Sequence, residues 1–370
     1  MSIEFFRILG FLGIFTEHLQ YPSPLGNMGV SCLLVISGFV VALTSKETFS
    51  VLNRKAIVRF YFTRLVRLYP VYFLTMLLSV PIIYWTHFQM SMFSFFCNIL
   101  MIQSWFPNGI QVFSFNGMGW FVSTLWFLCL VTPFLLRILG RVTLKQAAAC
   151  GMLVFVAAII VASQFTVGID AYSFGWWFFY ISPYFRIFDY VLGILAGLVF
   201  SRLQYAVRSS RMSLFTLLEL AALASFVAYY KLRYVALYSI LSYPTIRILL
   251  IGIYYSPLIA LVLIAFAFQK GLLSSLMNNR FTKFLGVRTY AALMLHLEFF
   301  SYLGLLISAN INYNTIPSLL GHVLLFIIVI SLADEIYRHY EMPIRRRSDN
   351  WMLQASEASP HQNSALVRSP

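Results

Sequence analysis

The sequence predicts an all-α polytopic membrane protein, a bundle of about ten transmembrane helices. Of its 370 residues, 60% are hydrophobic and only 10% are charged, and the mean hydropathy is +0.81. A water-soluble fold of this size needs more polar surface. Apolar runs recur along the whole chain at the length of about 20 helical residues that crosses about 30 Å of hydrocarbon. The bilayer is therefore the expected solvent.

Ten apolar runs separated by polar breaks predict the individual helices. They cover residues 3–20, 28–45, 68–87, 117–138, 147–165, 184–201, 213–231, 247–268, 284–308 and 316–336. A further apolar stretch, 92–106, is short and ends in Pro107-Asn108-Gly109. It fits either an eleventh span or a re-entrant or interfacial segment.

The distribution of Lys and Arg predicts the orientation of the bundle. Every second connection between helices is basic, and the connections between them are almost free of Lys and Arg. Because cytoplasmic loops accumulate basic residues, we expect a multi-pass protein of the cell (inner) membrane with both termini in the cytoplasm. Most of the net charge of +14 is then explained by basic residues in the cytoplasmic loops, and no nucleic-acid partner is expected. Residues 1–347 are predicted to form one transmembrane domain and residues 348–370 a disordered cytoplasmic tail.

Ionisable residues inside the predicted helices are the first candidates for function, because a charge in the bilayer costs several kcal/mol unless it is paired or lines a wet cavity. Arg7 and His18 are eleven residues apart, which places them on one stripe of the first helix, about 16 Å apart along its axis. They are expected to face the same cavity or partner. The histidine can act as a general base and the arginine can bind a phosphate or carboxylate. A structural polar seam satisfied by neighbouring helices explains the pair equally well.

The segment 59–72 interleaves basic and aromatic residues just before the third helix. Arg64 and Arg67 share a helical face within it. Such a strip suits an anionic cofactor with several phosphates, and it also suits a positive-inside anchor on lipid headgroups.

Other charged residues have simpler explanations. His296 lies mid-helix with Glu298 two positions on, a pattern also found for a hydrogen-bonded core histidine, and Arg186 and Asp189 are three residues apart, the spacing of an ion pair. The four cysteines are scattered without the spacing of metal ligands, so no metal is expected.

Four motifs resemble, in content and order, those of the membrane acyltransferase type 3 family. They are Arg7 and His18 with ten residues between them; Gly29-Val30 with Ser37-Gly38-Phe39; Arg64, Arg67, Pro70 and Tyr72; and Leu285-Gly286, Thr289-Tyr290, Leu293 and His296 followed by Glu341 and Pro343. Each motif is weak alone, but together they span residues 7 to 343.

One position departs from the family pattern. Many members carry a Glu five residues after a Trp, and aligning on Trp120 and Pro133 puts Leu125 there. If that carboxylate positions the acceptor or a catalytic histidine, another group such as Glu17, Asp189 or Glu298 must replace it, or the acceptor differs, or activity is lost.

The resemblance implies an O-acyltransferase that moves an acyl group, commonly acetyl, from acetyl-CoA or a related acyl-CoA to a hydroxyl. The co-substrate would be held by Arg64, Arg67 and Tyr72, with Arg7 and His18 as catalytic residues. The further candidate site residues are His296, Tyr290, Glu298, Asp189 and Glu341. The expected acceptor is a cell-envelope or exported polysaccharide or its lipid-linked precursor. Membrane lipids and a separate envelope acyltransferase or polysaccharide assembly machinery are the other expected partners.

Two other functions compete with this one. In a transporter or flippase, Arg7, His18, Asp189 and Glu219 would form a substrate or proton path, although no related halves are evident in the sequence. In a non-catalytic relative, suggested by Leu125, acyl-CoA would bind without turnover.

Overall fold

The computed structural model describes residues 3–19, 25–164, 172–207, 211–238, 243–306 and 319–357. Across these ranges the chain forms helices and no β-strand, which confirms the predicted all-α fold. The α-helices are α1 (Ile3–His18), α2 (Leu25–Ser45), α3 (Arg54–Trp85), α4 (Met92–Ile99), α5 (Gly119–Leu139), α6 (Leu144–Ser163), α7 (Phe174–Trp176), α8 (Pro183–Ala206), α9 (Met212–Tyr238), α10 (Tyr243–Ile251), α11 (Ser256–Ala267), α12 (Leu272–Met277), α13 (Arg280–Leu306), α14 (Leu319–Ile336) and α15 (Met342–Glu357). Short 3-10 turns lie at Gln103–Trp105, Gly109–Phe113 and Ile253–Tyr255, and π turns at Trp177–Ile181 and Tyr337–Glu341.

Seven of the described helices are long and apolar enough to span a membrane, or eight if the bent pair Thr245–Ile251 and Ile253–Ala267 counts as one span. The polytopic helical bundle is thereby confirmed, and each of the ten predicted segments contains a helix. Two of those helices, α1 and α13, are not among the seven, because α1 has only 16 residues and α13 carries several charges. Both pack inside the bundle, α1 against α2 and α13, and α13 also against α14 and α3.

The third predicted helix starts much earlier than expected. It begins at Arg54, after the N-cap Asn53, whose side chain accepts a hydrogen bond of 2.8 Å from the backbone N–H of Lys55. The basic and aromatic strip 59–72 is therefore the first half of one 32-residue helix and not part of a loop. Its side chains are consequently held in fixed directions along a single axis.

Three further segments differ from, or refine, the predicted boundaries. The predicted helix 247–268 is broken at Gly252, where α10 and α11 meet at 69°. The stretch 92–106 contains an eight-residue helix and a 3-10 turn, too short to cross a bilayer, so it is not an eleventh span. The disordered tail was predicted to start at Ser348, whereas α15 continues to Glu357. The remainder of that tail, 358–370, lies outside the described residues, and the one-domain division stays a prediction.

The closest helix packing in the described bundle joins α2 and α8, through glycines on both helices. A Cβ atom on Gly38 would overlap the carbonyl oxygen of Tyr190, and one on Gly193 would overlap that of Val35. Small residues allow backbones to approach in this way within a membrane. The Ser37-Gly38-Phe39 motif thereby acquires a structural explanation, since its central glycine is the contact point.

We predict that Gly193→Ala destabilises the bundle, by about 1–3 kcal/mol, because the added methyl group must push the two backbones apart. Thermal unfolding of the purified protein in detergent, followed by tryptophan fluorescence, measures the change. The matched control is Gly151→Ala on α6, where a Cβ atom would lie at an ordinary 3.8 Å from Leu192. Equal melting temperatures for the two variants would contradict this account of the α2 and α8 contact.

Candidate active site

Seven helices converge on a cavity of about 280 Å³, which we call the arginine cavity. Four arginines from three helices line it: Arg7 of α1, Arg64 and Arg67 of α3, and Arg345 of α15. The rest of its lining is mainly apolar and comes from α2, α5, α8 and α13. No carboxylate is among the described residues that line it. The cavity is therefore built to accept an anion.

Three of these guanidinium groups have no ion-pair partner within the described ranges. Arg7, Arg64 and Arg67 form no ion pair and no side-chain hydrogen bond there, although Arg7 lies in the field of Glu4 and Arg67 in that of Asp349. The guanidinium of Arg64 lies 4.9 Å from the centre of the Phe60 ring, which orients it. A cluster of cations in a low-dielectric bundle repels itself unless an anion joins it.

Arg345 is the site residue that the sequence analysis missed. It belongs to a run of three arginines that looked like a topology signal, but it pairs with the buried Glu341 and reaches the cavity, where its Nε atom is buried without a hydrogen-bond partner. The signal that pointed to it was Glu341, because four residues along a helix is ion-pair spacing.

Five of the other motif residues also line the arginine cavity, namely Ser37, Gly286, Thr289, Tyr290 and Leu293. The Tyr290 hydroxyl donates a hydrogen bond of 2.6 Å to the carbonyl oxygen of Leu68, which ties α13 to α3. Gly286 lets α1 approach α13, since a Cβ atom there would overlap Glu4. The motifs thus meet around one cavity although they are far apart in sequence.

His18 and His296 form a direct pair. The Nδ1 atom of His18 lies 2.9 Å from the Nε2 atom of His296, and the ring centres are 5.1 Å apart. His296 is fully buried, and the rings of Phe11, Phe15 and Phe300 surround it at 5.7, 6.1 and 5.9 Å. These rings fix the orientation of His296 and through it that of His18.

The hydrogen bonds of the pair define its tautomers. The Nδ1 atom of His296 lies 2.8 Å from the carbonyl oxygen of Leu293, which can only accept, so Nδ1 carries a proton. In a neutral imidazole, Nε2 of His296 is then an acceptor, and His18 must donate through its own Nδ1. The lone pair of His18 is therefore on Nε2. That atom has no hydrogen-bond partner in the part of the chain that the structure describes.

The histidine pair lies beyond the end of the arginine cavity that Leu293 lines. Leu293 lines the cavity, and His296 follows it by one helical turn, about 4.5 Å along α13. The expectation that Arg7 and His18 face the same cavity is not met, because His18 is not part of this lining. On α1 they are separated by about 16 Å, and the two ends of the site lie along one line.

Three of the predicted site residues have structural contacts instead. Tyr72 does not reach the arginine cavity: its hydroxyl donates to the carbonyl oxygen of Asn98 at 2.7 Å and accepts from Gln103 at 3.1 Å, which anchors the segment after α3. Glu298 is buried and forms a hydrogen bond with Ser79 of α3. Asp189 pairs with Arg186 at 3.1 Å, as its spacing predicted, and also accepts from Ser256.

The Arg186–Asp189 pair holds the bend of the bundle together. Arg186 is completely buried and also donates to the carbonyl oxygens of Tyr180 and Ile251, at 2.7 and 3.0 Å. The latter bond caps α10 at its break from α11. With a further bond to the Ser31 hydroxyl, four of its five N–H groups have partners, so its charge serves the packing of the bundle.

No carboxylate replaces the family glutamate in the arginine cavity. Leu125 itself lines that cavity, and of the three candidate substitutes Asp189 and Glu298 are engaged as above. Glu17 precedes His18 and accepts from the backbone N–H groups of Gly26 and Asn27 at the start of α2. It is the candidate closest in sequence to the histidine pair, and its contacts stabilise the end of α1 against α2.

Comparisons with known proteins identify the family of the chain. A family model described as an acyltransferase domain matches residues 2–337. The protein named Acyltransferase MdmB, from Streptomyces mycarofaciens, is 25% identical over a region that covers 49% of this chain and 48% of that protein, so the match spans about half the length of that relative. No solved structure matches.

We predict that Asp189→Asn unfolds readily, because it removes the charge that compensates the buried Arg186. Breaking a buried pair from one side costs about 3–5 kcal/mol. Thermal unfolding in detergent should show a large drop in melting temperature. Glu47→Gln is the control, since Glu47 is exposed in its pair with Lys46 and an exposed pair contributes about 0–1 kcal/mol. A melting temperature for Asp189→Asn as high as that of the control would mean that Arg186 does not need its partner.

Proposed function

Because the chain belongs to the membrane acyltransferase type 3 family, we propose that it is an integral-membrane O-acyltransferase that moves an acyl group, in the simplest case acetyl, from an acyl-CoA to a hydroxyl. The observation that carries this proposal is the alignment of two features along α1 and α13. One end has unpaired arginines in a cavity, and the other end has a histidine whose Nε2 lone pair is uncommitted.

The arginine cavity suits the phosphates of an acyl-CoA. Arg7, Arg64 and Arg67 offer guanidinium groups without an ion pair among the described residues, and the buried Nε atom of Arg345 lacks a hydrogen-bond partner there. The mainly apolar wall that leads from these arginines to Leu293 suits the less polar pantetheine arm. The distance of about 16 Å between the levels of Arg7 and His18 is comparable to the reach of that arm when extended.

The histidine pair supplies general-base catalysis. Nε2 of His18 takes the proton of the acceptor hydroxyl while the oxygen attacks the thioester carbonyl, and the C–S bond then breaks. The departing thiolate takes the proton back from His18, so that the enzyme returns to its starting state. His296 accepts the hydrogen bond from Nδ1 of His18 throughout, which holds the correct tautomer and orientation. His296 is in this scheme a positioning residue.

The acceptor and the cellular setting complete the proposal. By the positive-inside rule, the basic residues near α3 and α15 belong in the cytoplasm, which is where acyl-CoA is made. In this proposal the protein spans the cell (inner) membrane and both of its termini are cytoplasmic. The histidine pair then lies toward the other face. Such a geometry serves a hydroxyl on a cell-envelope or exported polysaccharide or its lipid-linked precursor, with a separate envelope acyltransferase or the polysaccharide assembly machinery as partner.

The transporter hypothesis finds less support. Its path would connect Arg7, His18, Asp189 and Glu219, but Asp189 is held in its ion pair, and Glu219 accepts from the backbone N–H groups of Leu273 and Ser274 at the start of α12. Of these four groups in the described chain, Arg7 alone lines the arginine cavity.

We predict that His18→Ala lowers acyl transfer by about 10²–10⁴-fold, the usual contribution of a general base, while the protein stays folded in the membrane. His296→Ala should also reduce transfer, and less strongly, because His18 remains present but loses its fixed tautomer. The assay compares envelope and secreted glycans of cells with and without the protein by mass spectrometry, looking for esters labile to mild base. Esters restored by His18→Ala as well as by wild type would refute the mechanism.

We predict that the double variant Arg64→Ala/Arg67→Ala raises the apparent KM for acyl-CoA about tenfold or more, since each charge-assisted contact to a phosphate contributes strongly. The turnover number at saturating donor should change much less, because the histidine pair is untouched. Acyl-CoA titrations on membrane preparations measure both values. An unchanged KM would assign Arg64 and Arg67 to lipid headgroups instead of the donor.

A further inference from the structure

A second and larger cavity adjoins the arginine cavity. It measures about 770 Å³ and lies between the end of α2, the loop that follows it and the first half of α3. The two cavities share Val40, Arg64 and Arg67, so they lie side by side with these residues between them. We call the second one the vestibule.

The vestibule is lined by cations from the first half of α3. Lys55, Arg59, Arg64 and Arg67 line it and are spread over about half of the helix circumference. No acidic residue belongs to its described lining, and the nearby Glu47 is exposed and pairs with Lys46 outside that lining. Arg64 and Arg67 also line the arginine cavity, so basic side chains are found in both cavities.

Two further features of the vestibule point to a ligand with phosphates and a polar ring system. Hydroxyl and amide side chains line the wall opposite the cations, namely those of Thr44, Ser45, Thr48, Ser50 and Asn53. The ring of Phe60 is also part of the lining and offers a surface on which a base can stack.

The start of α3 adds to this positive field. Its first turn holds Arg54 and Lys55 and no acidic residue. Basic residues at a helix N-terminus oppose the helix dipole, which favours negative charge there. An anion bound in the vestibule would compensate both.

We propose that the vestibule binds the 3′-phosphoadenosine end of the donor, with the diphosphate at Arg64 and Arg67, which line both cavities. Lys55 and Arg59 would then select full coenzyme A thioesters over donors that carry only a phosphopantetheine arm. This inference rests on the proposed function and deepens it. The arginine cavity alone would accept any acyl-pantetheine with a phosphate. The vestibule adds a second, separate recognition of the group that lies farthest from the reacting atoms.

Binding measurements test the proposal without any knowledge of the acceptor. The full chain is reconstituted in nanodiscs of neutral phosphatidylcholine, and its affinity is measured for labelled acetyl-CoA, with adenosine 3′,5′-bisphosphate and S-acetyl-4′-phosphopantetheine as competitors. Both fragments should displace acetyl-CoA from the wild type. Lys55→Gln/Arg59→Gln should weaken the binding of acetyl-CoA and of the bisphosphate by about tenfold or more and leave the binding of S-acetyl-4′-phosphopantetheine unchanged.

A matched control removes the same charge elsewhere. Arg280→Gln/Lys283→Gln changes two exposed cations at the start of α13 that line neither cavity, and it should bind all three compounds as the wild type does. Circular dichroism and thermal unfolding of both double variants establish that they are folded. If the control variant loses affinity as much as the vestibule variant, the effect is one of overall charge and the proposal is overturned.

The remaining outcomes separate this proposal from the proposed function. If acetyl-CoA binds but the bisphosphate does not displace it, or the vestibule variant keeps its affinity, the vestibule proposal is wrong and the acyltransferase proposal stands. If acetyl-CoA does not bind the wild type at all, both fail. Nanodiscs with anionic phosphatidylglycerol distinguish lipid headgroups from the nucleotide. Loss of bisphosphate competition there would assign the vestibule to lipid and overturn the proposal.

Discussion

Charge inside a low-dielectric bundle is the constraint on which the rest of this structure depends. The charge of Arg186 is compensated within the chain, because a carboxylate and two backbone carbonyls surround its completely buried guanidinium. The charges of Arg7, Arg64 and Arg67 are compensated only in part, because these residues line a cavity and have no ion-pair partner among the described residues. The first arrangement stabilises a bend, and the second leaves a binding capacity for anions. The same residue type thus serves structure or function according to whether its charge is compensated within the chain.

The fold could be predicted from the sequence because the two patterns that indicate it can be read within short segments of the chain. Apolar runs and the alternation of basic connections locate the helices without any knowledge of their packing. The boundaries failed where a local signal was ambiguous. The segment before residue 68 is rich in basic residues and therefore looked like a loop, yet Asn53 caps it and it continues into the span as one helix. Gly252 gave no clear warning of the 69° bend, which depends on contacts from Arg186.

The candidate site could be predicted only as a set of motifs, since its geometry depends on contacts between distant segments. His18 and His296 are 278 positions apart, and no spacing rule connects them. Tyr72 belongs to a motif together with Arg64 and Arg67. It lies five residues after Arg67 and therefore on another side of the helix, where its hydroxyl contacts Asn98 instead of the cavity. Arg345 was hidden in a run of arginines. Sequence motifs therefore indicated which residues matter, while packing decided which of them face the cavity.

The continuity of α3 explains how binding the nucleotide end of a donor can align its thioester end with a histidine that lies far from the nucleotide. A single 32-residue helix carries the vestibule cations, the arginines of the inner cavity and the anchor at Tyr72. Tyr290 ties this helix to α13, the helix that carries His296, through the Leu68 carbonyl. Because helices change length very little, a phosphate held by α3 is at a fixed distance from the histidine pair held by α1 and α13. The spacing between the donor end and the reacting end is thus a property of the helices themselves, and it favours positioning as the main contribution of the protein to acyl transfer.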